Sequence, residues 1–344
     1  MSTNLASNLL KRNASADILK AISIFAVVFI HGSSIIPVVS SKFDVSEAAM
    51  LFFKHAFRFC VPIFIFLWAY FAEKSVVKSG KDTSWKRLYK LFIPFLFWSL
   101  VYFLYTANFK NLTLTSAVTK HWVGYGWSGQ YYFIILFQLI ALFGIIRIIS
   151  KYLLRYVPAT IIVSLLFYGF ISYSNWFGIG VLGKLSYRQF IYWLPYVILG
   201  IVYAKKNSFK LALPMAFALL SPILILAEIY LLHPPLVNEY MLPSVFLTTL
   251  ILISSMETKL TYEYLTPWFA NLIQVIANST LGIFCLNPLI ILILSPLLRS
   301  LAISINAPGI IIIMSIVSTM LIMAICILII KLLKKFQLNV LVSN

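Results

Sequence analysis

Acidic residues are scarce in this chain: nine Asp and Glu stand against 27 Lys and Arg among 344 residues, and all charged residues together make up 10%. So few polar groups cannot cover a water-soluble surface, so an ordinary soluble domain is excluded. Histidine is also rare, with four scattered copies, and no HExxH or comparable cluster appears, which leaves a metal centre without support. The three cysteines, Cys60, Cys285 and Cys326, form no CxxC spacing and read as small buried hydrophobes. There is no Gly-rich phosphate loop, no GxSxG elbow and no internal repeat. A cleavable signal peptide is not expected either, because Lys11 and Arg12 precede an apolar run that lacks a small-residue cleavage site.

What fills the chain instead is apolar: 62% hydrophobic residues and a mean hydropathy of +0.97. Runs of bilayer-spanning length recur throughout. Ten spans are expected, at 16–39, 49–72, 88–106, 131–150, 156–174, 188–204, 209–232, 241–256, 272–296 and 308–331, with prolines such as Pro214 and Pro222 blurring the seventh and eighth. The expected fold is an all-α integral membrane bundle, a single domain over 1–344 with short tails at about 1–13 and 332–344. Assigning alternate connections to opposite sides gathers Lys74, Lys78, Lys81, Lys86, Arg147, Lys205 and Lys334 on the side of the N-terminus. This asymmetry places both termini in the cytoplasm and makes the chain a multi-pass protein of a cell membrane, with a bacterial cytoplasmic membrane favoured. The same basic face meets anionic lipid headgroups, which accounts for the +18 charge without nucleic acid.

Within the first apolar run, Asp17, Lys20 and His31 share one helical face. Ionisable groups inside a membrane helix are costly and default to a functional reading. The rise of a helix separates Lys20 from His31 by about 16 Å, a span that suits a long, phosphate-bearing molecule laid along the helix. By the same topology Arg58, in the second span, falls at the depth of His31, and Gln130 and Tyr132 lie at a comparable level.

Several segments, in order, resemble the membrane acyltransferase 3 family, whose members O-acylate glycans and other extracytoplasmic acceptors. The opening acid, cation and histidine, with ten residues between the last two, match Asp17, Lys20 and His31. FRFCVPIFIFLWAYF is similar to the family's second span through Arg58, Pro62 and Tyr70, although Trp68-Ala69 replaces a small pair. Arg87-x-x-Lys90 followed by Pro94 and Trp98 is similar to its basic loop and third span, and QYYFIILFQLIALF resembles its fourth. NSTLGIFCLNPLI resembles a late His-Pro segment, with Asn287 standing where the family has histidine and unable to take a proton.

The resemblance covers about residues 13 to 295. It implies an acyl-CoA-dependent O-acyltransferase, with acetyl the favoured group and an extracytoplasmic glycan or envelope polysaccharide as acceptor. On that reading Lys20, Arg87 and Lys90 hold the donor phosphates and His31 is the general base. Arg58 stabilises an oxyanion or binds the acceptor, and Asp17 orients Lys20 or a neighbouring base. Trp127, among the aromatics of the connection 107–130 with Trp122 and Tyr125, suits a sugar ring, against the rival and favoured reading that these are the ordinary aromatic belt of a membrane interface. Glu228 is the other deeply placed acid and a candidate acceptor ligand.

Purely structural accounts remain available: Lys20 can snorkel to headgroups, Arg58 can pair with Asp44 or Glu47, and Arg87 and Lys90 can serve topology alone. His31 can be a packing residue, whereas His55 and His121 are expected near solvent. A transporter or flippase of a lipid-linked glycan is the alternative function, set back by the absence of related halves. The oligomeric state is not legible.

Overall fold

A computed structural model describes residues 14–33, 54–81, 84–106, 124–153, 156–179, 186–206, 214–234, 239–258, 260–298 and 308–342, with isolated positions between them. The described chain is all helical. Helix α1 spans Ala14–Gly32, and α2 spans Cys60–Ser79, entered through a 3₁₀ turn at Phe57–Phe59. Next come α3 (Ser84–Thr106), the bent pair α4 (Gln130–Ala141) and α5 (Phe143–Leu153), and α6 (Val157–Tyr173). They are followed by α7 (Leu194–Lys206), α8 (Ile223–Leu232), α9 (Pro243–Ser254), the bent pair α10 (Pro267–Ala277) and α11 (Thr280–Leu298), and α12 (Pro308–Lys335).

Among the described residues, six helices are long and apolar enough to cross a bilayer, or eight if each bent pair, at 69° and 72°, forms one span. The ten expected spans are thus met in part. The segments expected as spans at 188–204 and 241–256 form the shorter helices α7 and α9 among the described residues. A helix the length of α7 rises only about 20 Å, short of the roughly 30 Å hydrocarbon core. Nearly all of α7 from Pro195 to Ala204 is buried, which places it in the core of the bundle with α1 and α2.

Burial separates core from periphery. The apolar windows of α1 and α2 are 72% and 67% buried, against 28% for those of α3, α6 and α12. Those outer helices present Leu100, Leu104, Val163, Leu166, Val317 and Leu328 to the surroundings, as lipid-facing helices do. Helix α7 packs on α2 at Gly200, where a Cβ would meet Phe66 O at 2.7 Å and the Ala69 Cβ at 2.8 Å. Small residues at such a crossing let two backbones approach, the usual source of helix association in a bilayer. Helix α2 stops at Gly80, whose φ of 67° directs its N–H back to Val76 O. Cys60, Cys285 and Cys326 are buried and unbridged, as expected.

One ion cluster ties three helices together. The fully buried Glu73 of α2 accepts two bonds from Arg147 of α5, at 2.5 and 3.1 Å, and lies 3.4 Å from Lys205 of α7. A buried carboxylate needs such partners. Trp98 of α3 donates to Leu341 O at 3.0 Å, which anchors the chain after α12.

Candidate functional site

The polar stripe on α1 is engaged by its neighbours, with Asp17 buried and Lys20 and His31 partly so. Asp17, 1% exposed, accepts a hydrogen bond from the Tyr262 hydroxyl at 2.8 Å and lies 3.4 Å from Lys20 Nζ. Lys20 in turn sits 4.6 Å from the centroid of the Phe71 ring. Asp17 thereby holds Lys20 from one turn away, at the opposite end of α1 from His31.

Lys20 opens onto a cavity of about 460 Å³ that Arg87 and Lys90 also line. Spaced by three, Arg87 and Lys90 share a face of α3. Arg87 is steadied by a bond from Nη2 to Ala72 O at 3.3 Å, on α2. The first turn of α11, at Thr280 and Leu281, closes part of the same wall and adds the positive end of a helix dipole. Farther in, the wall is aromatic: Phe64, Tyr132 and Phe284. Tyr132 contacts Phe284 at 5.3 Å and Phe64 at 6.4 Å between ring centroids. The volume falls in the range of small-molecule sites, with cations at one end and an apolar body.

One helical turn beyond Phe284 is Asn287, which is fully buried and faces His31. His31 Nδ1 lies 2.8 Å from Asn287 Oδ1, while Asn287 Nδ2 donates to Ile283 O and Phe284 O at 2.9 Å each. Lys20 and His31 are about 16 Å apart along α1 by helical rise; the cavity wall extends from Lys20 as far as Phe284, and His31 and Asn287 lie outside its lining.

Arg58 comes to the His31 end of α1, where the ring of its neighbour Phe57 lies 4.9 Å from that of Phe29 on α1. Its partner is Glu239, with which it forms an ion pair; Asp44 and Glu47, the partners considered from sequence, lie outside the described residues. Arg58 also lies over the Tyr240 ring at 5.0 Å, and Tyr131 donates to the Tyr240 hydroxyl at 3.3 Å. His55 approaches Glu239 at 3.5 Å and is 7% exposed, so it is buried rather than near solvent as expected. Burial acts to raise the Glu239 carboxyl, but the His55 ring and the charges of Arg58 and Lys54 outweigh it and hold it below its ordinary value.

The remaining candidates divide. Tyr132 lines the cavity. Gln130 is buried with its amide committed: Oε1 accepts Gly126 N–H at 2.7 Å and Nε2 donates to Ser99 Oγ at 2.8 Å, pinning the turn before α4. Trp127 is buried and stacks on Tyr102, centroids 4.8 Å apart at 9°, in the packing behind Phe284. Glu228 accepts from Tyr173 at 2.5 Å and from Ser244 N at 2.7 Å, satisfying the first turn of α9. The structure does not bring Glu228 to the cavity wall. Trp122 lies outside the described residues, and Tyr125 is exposed beneath the Arg188 guanidinium at 3.7 Å. Among the described residues no three His, Cys, Asp or Glu side chains gather as a metal site requires.

Three partners went unassigned from sequence alone: Glu239 and Glu73, each an acid whose cation comes from a distant helix, and Asn287 as the ligand of His31. The departure at Asn287 from the family pattern was the one available signal.

The profile of an acyltransferase domain matches residues 13–330. No curated protein and no solved structure matches the chain. The matched region takes in every residue of the cavity and of the His31 end, and the chain belongs to the membrane acyltransferase 3 family.

Proposed function

We propose that this protein is a membrane-embedded O-acyltransferase that moves an acyl group, acetyl by preference, from cytoplasmic acyl-CoA to a hydroxyl of an extracytoplasmic glycan. The observation that carries this reading is the convergence of Lys20, Arg87 and Lys90 on one cavity whose aromatic far wall, at Phe284, lies one turn from the residue holding His31.

In this reading the cations receive the donor's phosphates, Arg87 as a planar fork and the lysines as point charges. Asp17 positions Lys20. The neutral pantetheine arm follows Phe64, Tyr132 and Phe284 toward His31. There the acceptor oxygen attacks the thioester carbonyl as the His31 ring takes its proton. The new C–O bond forms, the C–S bond breaks, and the departing CoA sulfur receives the proton from His31. Arg58 lies where it can steady the developing oxyanion or the acceptor. The basic ends of α2, α5, α7 and α12 support a cytoplasmic face on the Lys20 side, and with it cytoplasmic termini.

The test is thermal unfolding of the detergent-solubilised protein with and without acetyl-CoA, for wild type and Lys20→Ala. Donor at a hundredfold excess over its dissociation constant stabilises a binding protein by about 2.7 kcal/mol. A rise in melting temperature that shrinks in Lys20→Ala supports the donor path. No rise with any acyl-CoA, in folded protein, rejects it in favour of transport.

A further inference from the structure

We infer that Asn287 and Pro288 together lock His31 in the tautomer protonated on Nδ1, so that the lone pair used in acyl transfer is the one on Nε2. This rests on the reading of His31 as the base, and it makes Asn287 a positioning residue.

The chain of cause begins with Pro288, inside α11. Proline has no N–H, so the carbonyl four residues earlier, that of Phe284, loses its helical donor. Asn287 supplies a replacement: Nδ2 donates to Phe284 O and to Ile283 O, both at 2.9 Å. Both hydrogens of the amide are thereby directed at backbone oxygens. The opposite orientation would set Oδ1 against those two carbonyls and lose both bonds. Asn287 is 0% exposed, so water offers no substitute.

With the amide so fixed, Oδ1 is the atom that faces His31, at 2.8 Å from Nδ1. An amide oxygen only accepts, so Nδ1 must carry a hydrogen, and in the neutral ring Nε2 then holds the lone pair. The same Nδ1–H bond persists when His31 becomes imidazolium, so the ring need not reorient during the cycle. Asparagine also never takes the proton itself. A histidine at position 287, as in the family pattern, would offer a second titrating ring, and asparagine offers none.

The tautomer is read directly by ¹⁵N NMR of histidine-labelled protein in bilayers, with His31→Gln identifying the signal. The expected wild-type spectrum gives His31 one protonated, pyrrole-type Nδ1 and one pyridine-type Nε2. Asn287→Leu removes the acceptor and is expected to shift the ring toward the Nε2–H form. The same variant is expected to lower kcat by about 10- to 100-fold with KM for the donor unchanged, the scale seen when a metal-ligating histidine loses its orienting partner. A wild-type ring protonated on Nε2, or an Asn287→Leu ring unchanged from wild type, overturns the lock. The spectrum needs no turnover: a locked ring in protein that transfers no acyl group would sustain this inference and reject the proposed function.

Discussion

Replacing Lys20 with methionine removes one cation from the cavity while keeping the length of the side chain. The Lys20 side chain is 22% exposed, wedged between Asp17 and the Phe71 ring, so its charge is poorly screened where it meets the cavity. A hydrogen bond to a charged group is worth about 1.5–3 kcal/mol, and partial solvent access argues for the middle of that range. Taking about 2 kcal/mol, the affinity for acetyl-CoA should fall about 30-fold. The fold should survive, because Asp17 keeps its bond from Tyr262. The informative comparison is S-acetylpantetheine, which has the thioester and arm but no phosphate. Competition binding on purified protein should show the 30-fold loss for acetyl-CoA and almost none for S-acetylpantetheine, with Lys20→Arg recovering most of it. Equal losses for both ligands, or none for either, would refute the assignment of Lys20 to phosphate.

Other consequences follow from the same contacts. Glu73→Ala leaves Arg147 and Lys205 facing each other without their acid, and should destabilise the protein by about 3–5 kcal/mol, seen as a lower melting temperature in detergent. Gly200→Leu forces a side chain between α7 and α2, where even a Cβ is too close to Phe66 O, and should cost about 1–3 kcal/mol in the same measurement. Glu239 predicts a pH effect. Its folded-state value lies below the ordinary 4.5, so its contribution is fully present above that value and is lost as the pH falls through the lowered one. Glu239→Gln should therefore flatten the acid limb of a melting-temperature profile below about pH 4.5, in keeping with a single lowered carboxylate; a limb as steep as wild type would remove Glu239 from that account.

Much of the site was readable before the fold because it lies within single helices. Asp17, Lys20 and His31 share a face by periodicity alone, and Arg87 and Lys90 are one turn apart on α3. Hydropathy does not separate the short helices α7 and α9 from full-length spans, since apolar residues buried by other helices look the same in sequence as residues bathed in lipid. Gln130 and Glu228 illustrate a second limit. A polar group within apolar sequence needs a partner, but whether that partner is a substrate or a backbone N–H depends on which helix arrives beside it. Asn287 is the clearest instance: its spacing from His31 in sequence says nothing, and its contact exists only because α11 packs on α1.

The most direct test of the account is CoA release from acetyl-CoA by purified protein in liposomes, with extracted envelope glycan as acceptor, for wild type and His31→Ala. General-base catalysis is typically worth about 10²–10⁴-fold, so the account predicts acceptor-dependent CoA release that falls by that factor in His31→Ala while donor binding persists. Wild-type turnover in His31→Ala, or folded wild-type protein that binds no donor and releases no CoA, would contradict it.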